Sequence, residues 1–385
     1  MKKQKIWLSL AQMGGNEQKY IQDAFDSNWV VPLGPNVNAF EQRIADYIKE
    51  DKQVVALSSG TAAIHLGLLL LNIQPEDEVI CQSFTFIASA NPIIYIGAKP
   101  VFIDSEKETW NMSPKLLEEA IIDRKKKTGK YPRAIVTIHL YGMPSKMDEI
   151  TAIAQKYNIP ILEDAAEALG SEYKKHKCGT FGEFSIISFN GNKIITTSGG
   201  GVLICKTEEI ATRAKFYATQ ARENQPYYWH EKVGYNYRLS NICAGIGLGQ
   251  MEVLEHHLAH RKRNHKIYSH IFSKMDEIRV KQNPNSDFNS NFWLTCITVE
   301  PSKTKISVDQ IRIYLESLGI ESRLLWCPMH LQPIFKDSPF YGDGTSEQLF
   351  KNGLCLPSGS SLEIKEIEFV AKSIMDFIFS FKIKA

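Results

Sequence analysis

Pro160-Ile-Leu-Glu-Asp-Ala-Ala-Glu-Ala-Leu169 carries the pattern on which the fold turns. An apolar run at 160–162 stops at two carboxylates, Glu163 and Asp164, and residues 165–169 continue as a helical segment. Short apolar runs closed by polar residues read as buried strands. The same unit recurs on both sides. Upstream, 79–81 runs into Ser-Phe-Thr-Phe, 100–103 ends at Asp104, and 134–139 runs into Tyr-Gly-Met-Pro. Downstream, 184–188 and 201–205 are two more such runs, and amphipathic helices at 114–122 and 147–157 separate the earlier ones. This alternation predicts an α/β domain with a mostly parallel sheet. Ligands of such sheets gather at the carboxyl ends of the strands.

The pattern changes from about residue 241. Residues 242–275 read as one long helical stretch, 284–291 as a polar break, and a smaller α/β unit follows with a strand at 293–299 and a helix at 308–318. The expected division is a large domain over 1–255 and a small C-terminal domain over 256–385. A chain of 385 residues suits about two domains. Net charge is +2, which demands no polyanionic partner, and no basic stripe with interleaved aromatics suggests nucleic acid. The runs Arg124-Lys125-Lys126-Lys127 and Lys174-Lys175-His176-Lys177 read as solvated loops. The apolar stretch after the N-terminal lysines is too short for a secretory signal, and 62–71 is too short to span a bilayer. A cytoplasmic protein without membrane association is expected. Seven scattered cysteines with no Cys-x-x-Cys pair indicate reduced thiols. His256 and His260 share a helical face beside Glu255 and His257, but no carboxylate takes the spacing a metal motif requires, so no metal is expected and the face reads as polar surface.

Four features fall at the strand ends. Ser58-Ser59-Gly60-Thr61-Ala62-Ala63 precedes an apolar helix, and hydroxyls with free N–H groups at a helix N-terminus make an anion site. Phe84 and Phe86 follow the strand at 79–81 and offer a ring to stack on a flat ligand. Asp164 places a carboxylate at a strand end. Lys193, in Ser188-Phe-Asn-Gly-Asn-Lys193 before Gly199-Gly-Gly201, supplies an amine for imine chemistry with an aldehyde. Taken singly, each has a plainer reading: a serine N-cap, two core phenylalanines, a cap for residues 165–169, a surface charge. Their order is what points to pyridoxal 5'-phosphate (PLP), which needs a phosphate turn, a stacking ring, an acid at its pyridine nitrogen and a lysine. No G-x-G-x-x-G follows a strand, so a nicotinamide enzyme is not expected.

With those residues in place, the chain resembles the DegT/StrS family of nucleotide-sugar aminotransferases, of fold type I PLP architecture. The matching segments run almost end to end: Asn28-Trp-Val-Val-Pro-Leu-Gly-Pro35, Ser58 to Ala63, Asp77-Glu-Val-Ile80, Ser83-Phe-Thr-Phe86, Gly97-Ala-Lys-Pro-Val-Phe102, His139-Leu-Tyr-Gly142, Glu163-Asp-Ala-Ala-Glu-Ala168, Ser188 to Lys193, Gly234-Tyr-Asn-Tyr-Arg238 and Trp326-Cys-Pro-Met-His330. The resemblance implies Lys193 as Schiff-base lysine and proton shuttle, Asp164 at the pyridine nitrogen, and Phe86 on the ring. It implies Gly60, Thr61, Ala62 and Ser188 at the phosphate, and Glu167 near the ring hydroxyl, where relatives often carry Gln or His. Asn236 would reach the phosphate from a neighbouring subunit, which implies a homodimer with shared sites. Trp29, Pro32, Arg238 and His330 would contact substrate. A dehydrating branch of the family has histidine in place of the lysine, so Lys193 implies transamination.

The wording around Asp104-Ser-Glu, Thr109-Trp-Asn-Met112 and Lys193 is most similar to transaminases of 4-keto-6-deoxy sugar nucleotides, above all those of the UDP-N-acetylbacillosamine pathway. The expected reaction moves the amino group of L-glutamate to C4 of a UDP-linked keto sugar in amino-sugar synthesis for surface glycans, with ping-pong kinetics. GDP-perosamine synthases, dTDP-keto-sugar enzymes and a non-catalytic PLP-binding regulator are the alternatives.

Overall fold

Val-Ile-Cys at 79–81 and Ile-Val-Thr-Ile at 135–138 have no polar face, which suits strands covered on both sides. The computed structural model describes residues 5–304 and 306–382; residues 1–4, with the N-terminal lysines on which the expected lack of a secretory signal partly rests, lie outside the described residues. The strands are β1 Gln53–Leu57, β2 Glu78–Gln82, β3 Lys99–Ile103, β4 Ala134–Ile138, β5 Ile161–Asp164, β6 Glu172–Tyr173, β7 His176–Lys177, β8 Phe184–Ser188, β9 Gly201–Cys205, β10 Ile278–Val280, β11 Phe288–Asn289, β12 Thr295–Val299, β13 Arg323–Leu324, β14 Phe340–Tyr341 and β15 Gly353–Leu356. The helices are α1 Glu17–Asp26, α2 Pro35–Ile48, α3 Gly60–Leu70, α4 Asn91–Tyr95, α5 Pro114–Thr128, α6 Met147–Tyr157, α7 Glu208–Ala218, α8 Asn241–Glu252, α9 Leu254–Phe272, α10 Pro301–Thr304, α11 Val308–Ser317, α12 Thr345–Asn352 and α13 Ile364–Lys382.

Eight strands form the main sheet in the order β1-β9-β8-β5-β4-β2-β3-β14. All are parallel except β9, which runs antiparallel to both β1 and β8. The mostly parallel α/β architecture is therefore as expected. The carboxyl ends of β1, β2, β4, β5 and β8 open on one edge, and β9, running the other way, brings its amino end with Gly199–Gly201 to that same edge. α3 lies buried against this sheet because Gly67 has no side chain; a Cβ there would stand 2.6 Å from Leu162.

A second sheet, β10-β12-β15-β13, is covered by α9, α11 and α13. The expected single helix over 242–275 is two, broken at Val253. α8 packs on α1 and α2, whereas α9 packs on α13 and β10. Chain order and spatial grouping part company in two places: β14 joins the edge of the main sheet, and Ile6 bridges to Ile320. The run at 124–127 is not a loop but the last turns of α5, where lysines face the negative helix end and Arg124 pairs with Glu78. Residues 165–169 form turns, not a helix, so Asp164 caps nothing longer than the Ala166 N–H. No described helix is long and apolar enough to cross a membrane.

One carboxylate ties the two sheets together. Asp104, fully buried at the end of β3, accepts from the N–H groups of Gly344, Thr345 and Ser346 at the start of α12, at 2.9, 3.1 and 3.0 Å. Asp104→Ala leaves those donors buried without an acceptor. We expect it to cost about 2–4 kcal/mol, read as a shift of the urea midpoint, with Asp104→Asn closer to wild type.

Candidate active site

The site begins with the first turn of α3. Ser59 is extended and its Oγ accepts from Ala62 N at 3.0 Å, the N-cap geometry. The cap takes up the Ala62 N–H, and the Ala62 side chain is buried in α3. Gly60 and Thr61 keep N–H groups without helical partners. Beside them stands Ser188, at the end of β8. Among the described residues, neither the Thr61 nor the Ser188 hydroxyl has a protein hydrogen bond. The turn is closed by glycine. A Cβ on Gly60 would lie 3.0 Å from Ser188 Cβ, and one on Gly201 would lie 2.5 Å from Gly60 N. This is a donor-rich cradle shaped for a small anion.

The cradle opens into a cavity of about 460 Å³ lined by Gly60, Thr61, Phe86, Asp164, Glu167, Ser188 and Lys193 among the expected residues. Asp164 is 4% exposed. Its Oδ2 accepts from Ser89 Oγ at 2.6 Å and its Oδ1 from Ala166 N at 3.0 Å, and Ser89 Oγ in turn lies 3.0 Å from Thr85 Oγ1. Burial pushes the Asp164 carboxyl up from its ordinary range; Ser89, the Ala166 N–H and the Lys193 cation offset part of that. Burial pushes Glu167 up as well, offset by Lys193 and by the Tyr141 N–H, 2.6 Å from Oε2. These partners offset burial only in part, and a protonated pyridine nitrogen would give Asp164 a further one. Lys193 Nζ lies 3.5 Å from Glu167 Oε1 and 4.2 Å from the centroid of the Trp293 ring. Phe86 is 48% exposed at the cavity wall, whereas Phe84 is buried in the core, edge-on to Tyr141; alternation along the chain separates the pair. The residues present fit PLP: an anion cradle, a free aromatic face, an acid and an amine surround one space.

Other expected contacts do not meet here. Arg238 bonds Glu41 at 2.7 Å and the Ala56 carbonyl at 2.9 Å, away from this cavity. His330 is also held outside this cavity. Its Nδ1 meets Ser83 Oγ at 2.7 Å, its Nε2 meets Glu347 at 3.2 Å, and its ring stacks on Phe340. Trp29, Pro32 and Asn236 are exposed and line no part of this cavity. The sequence reading missed Ser89, Trp293, Arg323, Trp326 and Asn192, which do line it. Trp326 sits within a quoted motif, but nothing local marks its ring as a wall against Phe86, 5.1 Å away.

His139, Glu163 and Cys178 cluster beneath Asp164, with ligand-type atoms within 4.8 Å of one another. The His139 Nδ1 accepts from Ser145 N, so Nε2 carries the proton given to Glu163 at 2.7 Å. Glu163 also accepts from Phe181 N, Gly182 N and Ser185 Oγ. The lone pairs are already used, and the cluster is a hydrogen-bonded brace. Cys81 is fully buried and its thiol is pushed up by burial, which removes it as a nucleophile.

Comparison with known proteins agrees with this geometry. A profile of the DegT/DnrJ/EryC1/StrS aminotransferase family matches residues 11–375. EpsN of Bacillus subtilis (strain 168), which carries the name of a pyridoxal phosphate-dependent aminotransferase, is 46% identical over 99% of this chain and 97% of its own. The GDP-perosamine synthase of Escherichia coli O157:H7 is 34% identical over 94% and 96%. The crystal structure of a DegT DnrJ EryC1 StrS aminotransferase from Brucella abortus superposes with a TM-score of 0.87 at 28% identity, over 94% of this chain and 95% of the other.

The raised Asp164 carboxyl has a consequence for stability. A buried acid whose folded value lies above its unfolded one stabilises the fold below the unfolded value, near pH 3.9, and that contribution is lost as pH rises through the folded value. Asp164→Asn stays neutral and keeps both hydrogen-bond positions filled. We expect the cofactor-free variant to melt a few degrees above cofactor-free wild type at pH 7, with the difference closing below about pH 4. Equal melting temperatures at both pH values would show that the Asp164 charge costs the fold nothing.

Proposed function

The chain belongs to the DegT/DnrJ/EryC1/StrS aminotransferase family, and we propose that it transfers the amino group of L-glutamate to C4 of a UDP-linked 4-keto-6-deoxy sugar. It is a PLP-dependent sugar aminotransferase. The observation that carries the proposal is the meeting of Lys193, Asp164 and the α3 cradle in one cavity.

Bound PLP supplies an electron-withdrawing ring that takes up the charge left when a proton departs from the carbon beside the nitrogen. Gly60, Thr61 and Ser188 would hold its phosphate, and Phe86 would cover its ring. Asp164, oriented by Ser89, would keep a proton on the ring nitrogen. Glu167 would stand near the ring hydroxyl, and it offers the Lys193 amine a partner 3.5 Å away. Lys193 would hold the aldehyde, and its amine, once free, would be the group that removes and returns the proton as general base and acid. Trp293 and Trp326 add apolar wall, which suits the methyl end and ring face of a 6-deoxy sugar and limits water. Donor and acceptor share this space, so they enter in turn.

The proposed assembly is a homodimer in which Asn236 completes the partner's phosphate site. Asn236 is exposed, and the same loop carries exposed Tyr227, Tyr228, Trp229 and Val233, an apolar surface that a second copy would cover. The GDP-perosamine synthase reading stands second, favoured by the 34% identity to such an enzyme over nearly the full length.

Lys193→Ala is expected to lose turnover by about 10²–10⁴-fold or more with the fold retained, and Asp164→Asn to cut the rate severely without changing the oligomer. Offering UDP-, GDP- and dTDP-linked 4-keto-6-deoxy sugars with glutamate, with products identified by mass and NMR, should give the 4-amino sugar fastest from UDP. Preference for GDP would replace the first reading with the second. Absence of any glutamate-driven change in cofactor absorbance would leave a binding protein. Shared sites predict rescue by mixing: Lys193→Ala and Asn236→Ala chains, each impaired alone, should regain activity after subunit exchange, because one site of the mixed dimer has both wild-type residues. No recovery in confirmed mixed dimers would sink the shared site.

A further inference from the structure

We infer that Arg261 and His257, one turn apart on α9, are positioning residues that clamp the backbone of Lys193 so that only its side chain moves; the inference rests on the role assigned to Lys193 above. Arg261 is 1% exposed, and among the described residues no carboxylate pairs with it. Its guanidinium donates only to neutral acceptors: the Trp293 carbonyl at 2.5 Å, Ser9 Oγ at 3.0 Å and the Lys193 carbonyl at 3.5 Å. Burial pulls its pKa down to about 9, so it remains charged at neutral pH. A buried cation without an anion is costly, and an apolar side chain of similar volume would fill the space at less expense. Packing alone therefore does not account for it.

The neighbouring bonds show what the cation holds. The Asn192 carbonyl accepts from Ser9 Oγ at 2.8 Å and from Trp293 Nε1 at 2.7 Å. The Lys193 carbonyl accepts from Arg261, and the Ile194 carbonyl meets His257 Nδ1 at 3.2 Å. Three consecutive carbonyls, on both sides of the lysine, are held from outside the segment. They need to be, because residues 189–200 belong to no helix or strand. The guanidinium also fixes the backbone of Trp293, whose ring lies under the Lys193 amine. One fork thus spans the lysine and the ring beneath it, a reach that a lysine at 261 would lack. His257 is 2% exposed and burial lowers its pKa, so it acts as a neutral donor. Spacing of four places both side chains on one helical face.

The test follows the glutamate half-reaction in single turnovers of the holoenzyme, by cofactor absorbance and per cofactor-loaded site. Displacing a reacting group by an ångström costs about a hundredfold, so Arg261→Met should lower the maximal rate by about ten- to a hundredfold with half-saturating glutamate nearly unchanged, and Arg261→Lys should recover only part. A lower melting temperature with an unchanged rate per loaded site overturns the inference, because that is what a merely structural residue would give. If Arg261→Met does not fold, Ser9→Ala and His257→Phe remove other members of the same clamp, and wild-type rates in both overturn it equally. A wild-type holoenzyme that does not respond to glutamate would remove the role of Lys193 itself, and this inference with it.

Discussion

Asp164 is a carboxylate held out of water at the end of a central strand, and the site is organised around the cost of keeping it there. One oxygen is met by Ser89 and the other by a backbone N–H, but burial still pushes the acid up. A carboxylate in that condition binds a cationic N–H more strongly than a solvated one does. Glu167, three residues further along the chain, is under the same pressure, and the Lys193 cation stands between these demands. The functional groups are therefore mutually dependent: the lysine tempers two buried acids, and the acids keep its amine inside the cavity.

This arrangement depends on one reversed strand. The parallel strands deliver Ser188, Asp164 and the α3 turn to a single edge, as α/β sheets do. β9 enters that edge by its amino end, and its glycine backbone packs directly on the first turn of α3. A side chain at Gly201 would meet Gly60 N, so the cradle and the reversed strand require each other. The segment between β8 and β9, which carries Lys193, must cross the edge without regular hydrogen bonds. It is held instead by Ser9, Trp293 and α9, drawn from three distant parts of the sequence.

The covering wall comes from the other sheet. Trp293, Arg323 and Trp326 belong to the region of β12 and β13, and they close the space opposite Phe86. The two sheets are fastened by Asp104 on the start of α12 and by His330 between Ser83 and Glu347. These buried or half-buried polar ties fix how far the wall stands from the main sheet, and hence how much room a substrate has.

Much of this was legible in the chain because it is local. An apolar run followed by a carboxylate places a chemical group at a strand end whatever surrounds it, so Asp164 and the α3 turn could be read from the residues, whereas Ser188 came only with the family resemblance. Periodicity also marked α6 without error. It did not separate Phe84 from Phe86, and it assigned His257 to a polar face, although α9 buries that residue behind the lysine segment. Nor did it reveal that Arg238 is bonded to Glu41, and His330 to Ser83 and Glu347. A sequence specifies which residues along one element share a face, since that follows from 3.6- or 2-residue repeats. Which face meets which, and which of two arginines ends beside a carboxylate and which beside bare carbonyls, is decided only when distant segments pack, because those partners lie up to hundreds of residues apart and leave no mark on each other's local pattern.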